Sequence, residues 1–184
     1  ASFPTRRSSD LYTQGVLKQA LLSFLQEKPI NKITVKEVCE RAELNRATFY
    51  AHYSDCFALL ESIEEDLLEA FRQSLKLVDS FDVTALIEAI YTMIEQQQEA
   101  CRVLIFQNVC PNVLRRMISL ARGKSIAYWK QHLHRVTDAE LEMLYTHLSN
   151  GLMHVVVEGY EKYSREEVVR FVNRIVQCSL SQFQ

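Results

Sequence analysis

The stretch TVKEVCERAELNRATFYAHY, residues 34–53, contains two short helical patterns separated by only a few residues. Thr34 is followed three residues later by Glu37, which is the pattern of a capping box at the start of a helix. Asn45 is a favourable cap for a second short helix, because its side chain can accept a hydrogen bond from a free backbone N–H. We therefore predict two short helices joined by a turn at residues 42–44.

An amphipathic pattern in front of this stretch completes a three-helix unit. Apolar residues recur at three- and four-residue steps from Tyr12 to a break before Pro29, which predicts a longer first helix. Phe49 and Tyr53 lie four residues apart, so we expect both to face the core and to leave Tyr50 outside. Three helices of this kind, the last two joined by a tight turn, are typical of a helix-turn-helix module.

Residues 33–60, ITVKEVCERAELNRATFYAHYSDCFALL, resemble the DNA-binding signature of TetR-family transcriptional regulators. The resemblance implies a homodimeric, ligand-responsive repressor whose two heads insert recognition helices into successive major grooves of operator DNA. It also implies that Thr34 contacts backbone phosphate. The positions that match base or phosphate contacts in the recognition helix are Asn45, Arg46, Ala47, Thr48, Tyr50 and His52.

The residue types suit that role on physical grounds. The Arg46 guanidinium can donate two hydrogen bonds to a guanine edge, and Thr48 can offer its hydroxyl to a base or its methyl to thymine. Each good pair contributes roughly 1 to 3 kcal/mol of discrimination. The Tyr50 ring can pack on the groove wall while its hydroxyl reaches the DNA backbone.

Two positions depart from the family pattern. Glu43 lies where the family often has glycine, so a positive φ there would be modestly strained. Cys56 lies where the family usually has a lysine for phosphate, so we expect weaker and less salt-dependent DNA binding. The missing lysine also leaves an alternative open, in which the chain is a TetR-like co-activator whose head binds another protein regulator instead of operator DNA.

Composition favours an all-helical globular protein. The 184 residues are 48% apolar and 24% charged, and only four glycines and three prolines are available for turns. Residues 1–53 hold eight Lys and Arg against five Asp and Glu, whereas residues 54–184 hold thirteen against eighteen. A mildly basic head and an acidic body fit a nucleic-acid contact confined to the head. Without a signal peptide pattern or an apolar run of ~18 residues, we expect a cytoplasmic protein that does not span a membrane.

We divide the chain into three parts. Residues 1–11 have no hydrophobic period and resemble the translation of a sequencing adaptor, so we interpret them as an artefactual or disordered N-terminus. Residues 12–53 form the helix-turn-helix DNA-binding domain. Residues 54–184 form a helical-bundle domain for ligand binding and dimerisation. Its helices are predicted at about 55–78, 82–98, 100–108, 111–133, 138–161 and 165–182, with Asp55, Asp82, Pro111, Asp138 and Ser164 near their starts.

The last two predicted helices carry more apolar surface than one neighbour can cover. The helices at 138–161 and 165–182 are apolar around much of their circumference, which favours a homodimer in which they meet their symmetry mates as four helices. Gly151 lies inside the first of them, and we interpret it as a point of close helix–helix approach.

We find no pattern for catalysis, a metal or a cofactor. The five cysteines include no C-x-x-C pair and are interpreted as reduced thiols, mostly in the core. No nucleophile–base constellation or glycine-rich phosphate loop is present, so we predict that the chain is not an enzyme. The effector-binding residues stay unassigned, since aromatic and Met residues of the body line either a pocket or the core: Phe106, Met117, Tyr128 and Trp129.

Overall fold

The computed structural model describes residues 6–76 and 83–183, without the side chains of residues 6–8. Throughout these residues every regular element is a helix, which confirms the predicted all-α class. The α-helices are α1 (Arg6–Leu25), α2 (Val35–Arg41), α3 (Arg46–Tyr50), α4 (Cys56–Lys76), α5 (Val83–Gln96), α6 (Gln98–Ala100), α7 (Pro111–His132), α8 (Asp138–Gly159) and α9 (Arg165–Leu180). A π-helical turn, Cys101–Phe106, continues α6, and short 3-10 turns lie at Ile30–Lys32 and Ser181–Phe183.

The first three helices and the start of α4 enclose a small core around Phe49, which is completely buried. Polar side chains fasten α1 to its neighbours. The Arg41 guanidinium of α2 lies 3.6 Å from the centre of the Phe24 ring, and Lys18 of α1 forms an ion pair with Asp66 of α4. Helix α3 is therefore held on a packed core.

The first helix starts earlier than predicted. It begins at Arg6, although the apolar period begins only at Tyr12, and residues Leu11 and Tyr12 are exposed. A period in apolar residues marks only the part of a helix that packs, so the exposed first turns gave no signal. Residues 1–5 lie outside the described part of the chain, and the interpretation of residues 1–11 stays a prediction.

Helix starts in the body follow the predicted caps with one correction. Pro111 and Ser164 begin α7 and α9 as predicted, and the Asp55 carboxylate accepts a hydrogen bond from Ala58 N–H at 2.8 Å. Thr137, and not Asp138, caps α8, because its backbone is extended and its hydroxyl accepts the N–H of Glu140. Asp82 lies outside the described residues.

The body helices differ at a few positions from the packing that the apolar patterns suggest. An ideal Cβ added to Gly151 would meet no atom within 4 Å, so no helix of the same chain approaches it closely. The crowded glycine is Gly159, where such an atom would lie 3.2 Å from the Tyr163 ring. Four of the five cysteines are buried, as predicted, while Cys178 is exposed, and all five thiols are free. Phe57 continues the apolar pattern of α4 but is also exposed.

No helix in the described residues has both the length and the apolar character needed to cross a bilayer.

Candidate nucleic-acid interface

The turn between α2 and α3 depends on a residue in the left-handed region. Glu43 has a φ of 54°, which confirms the predicted positive φ at the position where glycine would be free of strain. The chain reversal is closed by Leu44, whose N–H donates to the carbonyl of Cys39 at 2.9 Å. This turn sets the direction in which α3 leaves α2.

Helix α3, the predicted recognition helix, is short and begins with a side-chain cap. Asn45 has extended dihedrals, and its Oδ1 accepts hydrogen bonds from the N–H of Thr48 at 2.8 Å and from the Thr48 hydroxyl at 3.1 Å. The cap therefore occupies the hydroxyl hydrogen of Thr48. For a contact with DNA, Thr48 retains its hydroxyl lone pairs and its methyl group.

The two aromatic residues at the end of α3 face opposite environments. Phe49 is 0% exposed, and its ring centre lies 6.0 Å from that of Tyr53. Tyr50 is 57% exposed and meets the Phe49 ring edge-on, with 5.6 Å between the ring centres. The predicted outward placement of Tyr50 is therefore confirmed, and a rigid apolar contact fixes its ring.

The remaining predicted residues of this segment differ in exposure. Asn45, Arg46 and Ala47 are exposed, and Thr48 and His52 are half-buried. Arg46 forms no hydrogen bond or ion pair with any described residue, so all five guanidinium N–H donors remain available. Their roles in DNA binding stay predictions.

Thr34 is exposed at the start of α2, but its donors are already used. Its hydroxyl and its backbone N–H both donate to Glu37 Oε2, at 2.8 and 2.9 Å, and its hydroxyl accepts the N–H of Glu37 at 3.3 Å. The capping box predicted for this helix is therefore confirmed. A phosphate contact through the Thr34 hydroxyl would require its hydrogen to leave Glu37.

The Glu37 carboxylate also receives a charged donor from outside α2. Lys28 Nζ lies 2.6 Å from Glu37 Oε1. This hydrogen bond, with those from the backbone and side chain of Thr34, lowers the pKa of Glu37 to about 2. The ionised carboxylate thus connects the turn after α1 to the start of α2.

Cys56 occupies the position that the resemblance assigns to a phosphate-binding lysine, but its side chain is buried. Burial raises the pKa of its thiol to about 11, so the group is neutral and turned into the core. Two exposed lysines near Thr34, Lys32 and Lys36, are candidate phosphate contacts that motif matching missed. Lys36 has only a 3.7 Å ion pair with Glu40, which is exposed and weak.

Among the described residues no group of three or more His, Cys, Asp or Glu side chains could hold a metal ion.

Comparisons with known proteins agree with this geometry. No family model matches the chain. A segment of 62 residues is 37% identical to YxbF, an uncharacterised HTH-type transcriptional regulator of Bacillus subtilis, and covers 34% of this chain but only 16% of that protein.

Similarity to solved structures extends over the whole chain. A TetR transcriptional regulator from Streptococcus agalactiae has a TM-score of 0.65 and 22% identity, covering 91% of this chain and 95% of its own. The dihydroxyacetone kinase operon activator DhaS has a TM-score of 0.65 and 16% identity, covering 95% and 99%. The TetR-family regulator PfmR from Thermus thermophilus has a TM-score of 0.60 and 13% identity, covering 97% of each chain. These similarities confirm the resemblance carried by residues 33–60: the chain has the fold of the TetR-family transcriptional regulators, with a helix-turn-helix head and a helical body.

Proposed function

We propose that this chain is a sequence-specific DNA-binding transcriptional regulator that acts as a ligand-responsive homodimeric repressor. The observation that carries the proposal is the division of α3 into a buried anchor and a free outer face. Phe49 fixes the helix in the core, while Arg46 and Tyr50 project from it without polar partners in the described chain. A helix held in this way can enter a major groove without first breaking internal contacts.

The residues on this face can read and grip a duplex in different ways. Arg46 supplies two donors to a guanine edge, and Thr48 supplies a methyl group or hydroxyl lone pairs to a neighbouring base. Tyr50 can donate its hydroxyl to a phosphate, which positions the helix without reading sequence. Lys32 and Lys36 add exposed positive charge beside Thr34.

The outer face of α8 and α9 supports a homodimer. Phe171 and Ile175 are 53% and 46% exposed and lie four residues apart on α9. On α8, Gly151 is open to solvent and Val155 is half-buried. A second copy would cover these apolar groups, and its backbone could approach Gly151 closely. Two-fold symmetry would then present two recognition helices to one duplex.

Helix α4 provides the connection through which a bound effector would move the heads. It begins at Cys56, six residues after α3 ends, and reaches the interior of the body at Phe71. Arg116 of α7 pairs with Glu64 of α4 at 3.6 Å and also with Glu65. An effector that shifts α7 would therefore shift α4 and change the spacing of the two heads.

A fluorescence anisotropy titration with a labelled duplex from upstream of the chain's own gene tests this proposal. We expect tight, selective binding that Arg46→Ala weakens roughly 10- to 100-fold, because a bidentate base contact contributes roughly 1 to 3 kcal/mol. Arg115→Ala is the matched control, since Arg115 is exposed on α7 in the body. Equal affinity and selectivity for wild type and Arg46→Ala would contradict the base-reading role.

A further inference from the structure

An apolar cavity of about 50 Å³ lies in the body between α4, α5, α7, α8 and α9. We propose that it binds a compact, neutral, mainly apolar molecule through a carbonyl oxygen that accepts hydrogen bonds from Ser125 and Ser149. This inference rests on the proposed ligand-responsive function and names the chemical class of the effector. The cavity wall includes Phe71, Ile90, Met117, Trp129, Tyr145 and Met153.

The two serines are unusual because their hydroxyls are buried without a partner. Ser125 is 1% exposed, and neither its Oγ nor that of Ser149 is accessible to solvent or hydrogen-bonded in the structure. A buried serine in a helix commonly bonds to the carbonyl one turn back, as Ser74 does with Ala70 at 3.1 Å. Burying an unpaired hydroxyl is costly, so these two groups indicate a partner that binds from outside the chain.

The register of α7 and α8 places both serines at one level of the cavity. The helices run antiparallel, because Lys130 pairs with Asp138 while Arg122, two turns earlier in α7, pairs with Glu142. The same two helices also meet through the rings of Trp129 and Tyr145, whose centres lie 5.9 Å apart.

One turn before Trp129 in α7 is Ser125, and one turn after Tyr145 in α8 is Ser149. The two serines therefore face one region from opposite helices. Both residues line the cavity and neither hydroxyl has a hydrogen-bond partner among the described residues, so each can donate to an acceptor bound there.

The rest of the lining defines the chemistry of the ligand. No charged side chain of the described residues lines the cavity, so an ionised ligand would lose its hydration without gaining a counter-charge. The Tyr145 hydroxyl already donates to the carbonyl of Ile118 at 2.6 Å, so the lining side chains that can still donate are the Trp129 indole N–H and the two serine hydroxyls. One carbonyl oxygen has two lone pairs and can accept from both.

The size of the cavity limits the size of the ligand and explains how ligand binding acts on the head. A dry cavity that admits benzene measures roughly 150 Å³, so a ring-sized ligand must widen this one. Met117 and Met153 can make room, because the unbranched Met side chain adapts its shape. Phe71 belongs to α4, so widening the cavity acts on the helix that leads to the head.

Calorimetric titration of the full chain with three matched probes tests the assignment. Cyclohexanone has the carbonyl, methylenecyclohexane replaces it with an isosteric CH₂ group, and cyclohexanecarboxylate adds a charge. The probes are compared on wild type, on the Ser125→Ala/Ser149→Ala double variant, and on Ser119→Ala, whose serine is exposed on the same α7. Trp129 is the single tryptophan of the chain, so a shift of its emission wavelength shows that a probe enters the cavity.

We expect wild type and Ser119→Ala to bind cyclohexanone about tenfold more tightly than methylenecyclohexane, and the double variant to lose that preference. The double variant should unfold at the same temperature as wild type or higher, because it removes unpaired buried hydroxyls. The proposal is overturned by equal affinities for ketone and alkene, by tightest binding of the carboxylate, or by no binding of cyclohexanone up to its solubility limit.

DNA binding, measured on the same samples without a probe, separates this inference from the proposed function. A chain that binds its operator but shows no serine-dependent ketone binding remains a regulator, and the inference alone is wrong. Serine-dependent ketone binding by a chain that binds no duplex supports the site and contradicts the DNA-binding function. If both hold, cyclohexanone should change operator affinity in wild type and not in the double variant.

Discussion

Phe49 and Tyr50 are adjacent in the chain, yet one is fully buried and the other mostly exposed. Their spacing relative to Tyr53 was enough to predict this division, since residues four apart share a helix face. The acceptor to which each side-chain hydroxyl donates its hydrogen could not be predicted in the same way. The hydroxyls of Thr34 and Thr48 donate hydrogen bonds to Glu37 and Asn45, so neither hydroxyl has a free hydrogen for DNA.

Asn45 has two separable roles in this account, as cap of α3 and as a candidate base contact. Asn45→Ala should lower the free energy of unfolding by about 1 kcal/mol, because the N–H of Thr48 loses its acceptor. Asn45→Asp keeps a capping oxygen and should retain most of the stability. Denaturant unfolding measures both variants, and an Ala variant as stable as wild type would show that the cap contributes nothing.

Glu37 should make the head sensitive to acid. Its folded pKa of about 2 is below the ordinary value of 4.5, so its stabilising effect is complete above pH 4.5 and is lost as the pH falls through about 2. Thermal unfolding followed from pH 5 to pH 2 should show a steeper loss of stability for wild type than for Glu37→Gln. Parallel curves for the two proteins would contradict the assigned network of Lys28, Glu37 and Thr34.

At the scale of the helices, capping residues in the sequence predicted most helix starts. The apolar periods predicted less well which helix faces are buried. A capping box is a local sequence pattern, and at α2 and α9 only one residue fits its N-cap position. These residues are Thr34 and Ser164. At α8 two good caps are adjacent, and the extended dihedrals select Thr137 over Asp138. Exposure of Phe57 and Cys178 could not be read from a period, because a period shows that a face is apolar but not whether another element covers it.

The α8 correction can be tested with two neighbouring substitutions. Thr137→Ala removes the acceptor for the N–H of Glu140 and should destabilise the chain by about 1 kcal/mol. Asp138→Ala leaves the cap in place and removes an exposed ion pair with Lys130, so its effect should be clearly smaller. Chemical denaturation of both variants decides between the two caps. A larger loss of unfolding free energy for Asp138→Ala would show that Asp138 is the cap.

At the scale of the whole molecule, the sequence does not predict which residues of distant helices meet, because that depends on how the helices pack against each other. Ser125 and Ser149 are 24 residues apart, and only the packing of α7 on α8 brings them to one cavity. The single chain also leaves the outer face of α8 and α9 uncovered, as expected for the predicted dimer helices. Gly151 belongs to that face and meets no other described helix of its own chain, so the close approach predicted there stays a prediction for the dimer.

The proposed dimer interface depends on the exposed apolar residues of α9. Phe171→Glu should convert a dimer to a monomer at micromolar concentration, because symmetry places the new charge in the apolar interface twice. Leu11→Glu is the control, since Leu11 is equally apolar and exposed but lies on α1. Sedimentation equilibrium measures the mass of each, and a wild-type monomer, or a Phe171→Glu dimer, would contradict the interface.

We propose above all that the surface from Asn45 to His52 enters a groove of duplex DNA. Selection of bound duplexes from a random-sequence pool, performed with wild type and with Arg46→Ala, tests it most directly. We expect wild type to enrich an inverted repeat with a defined guanine in each half-site, and Arg46→Ala to lose the preference at that guanine. No enrichment by wild type, or the same repeat with the same guanine selected by both proteins, would contradict it.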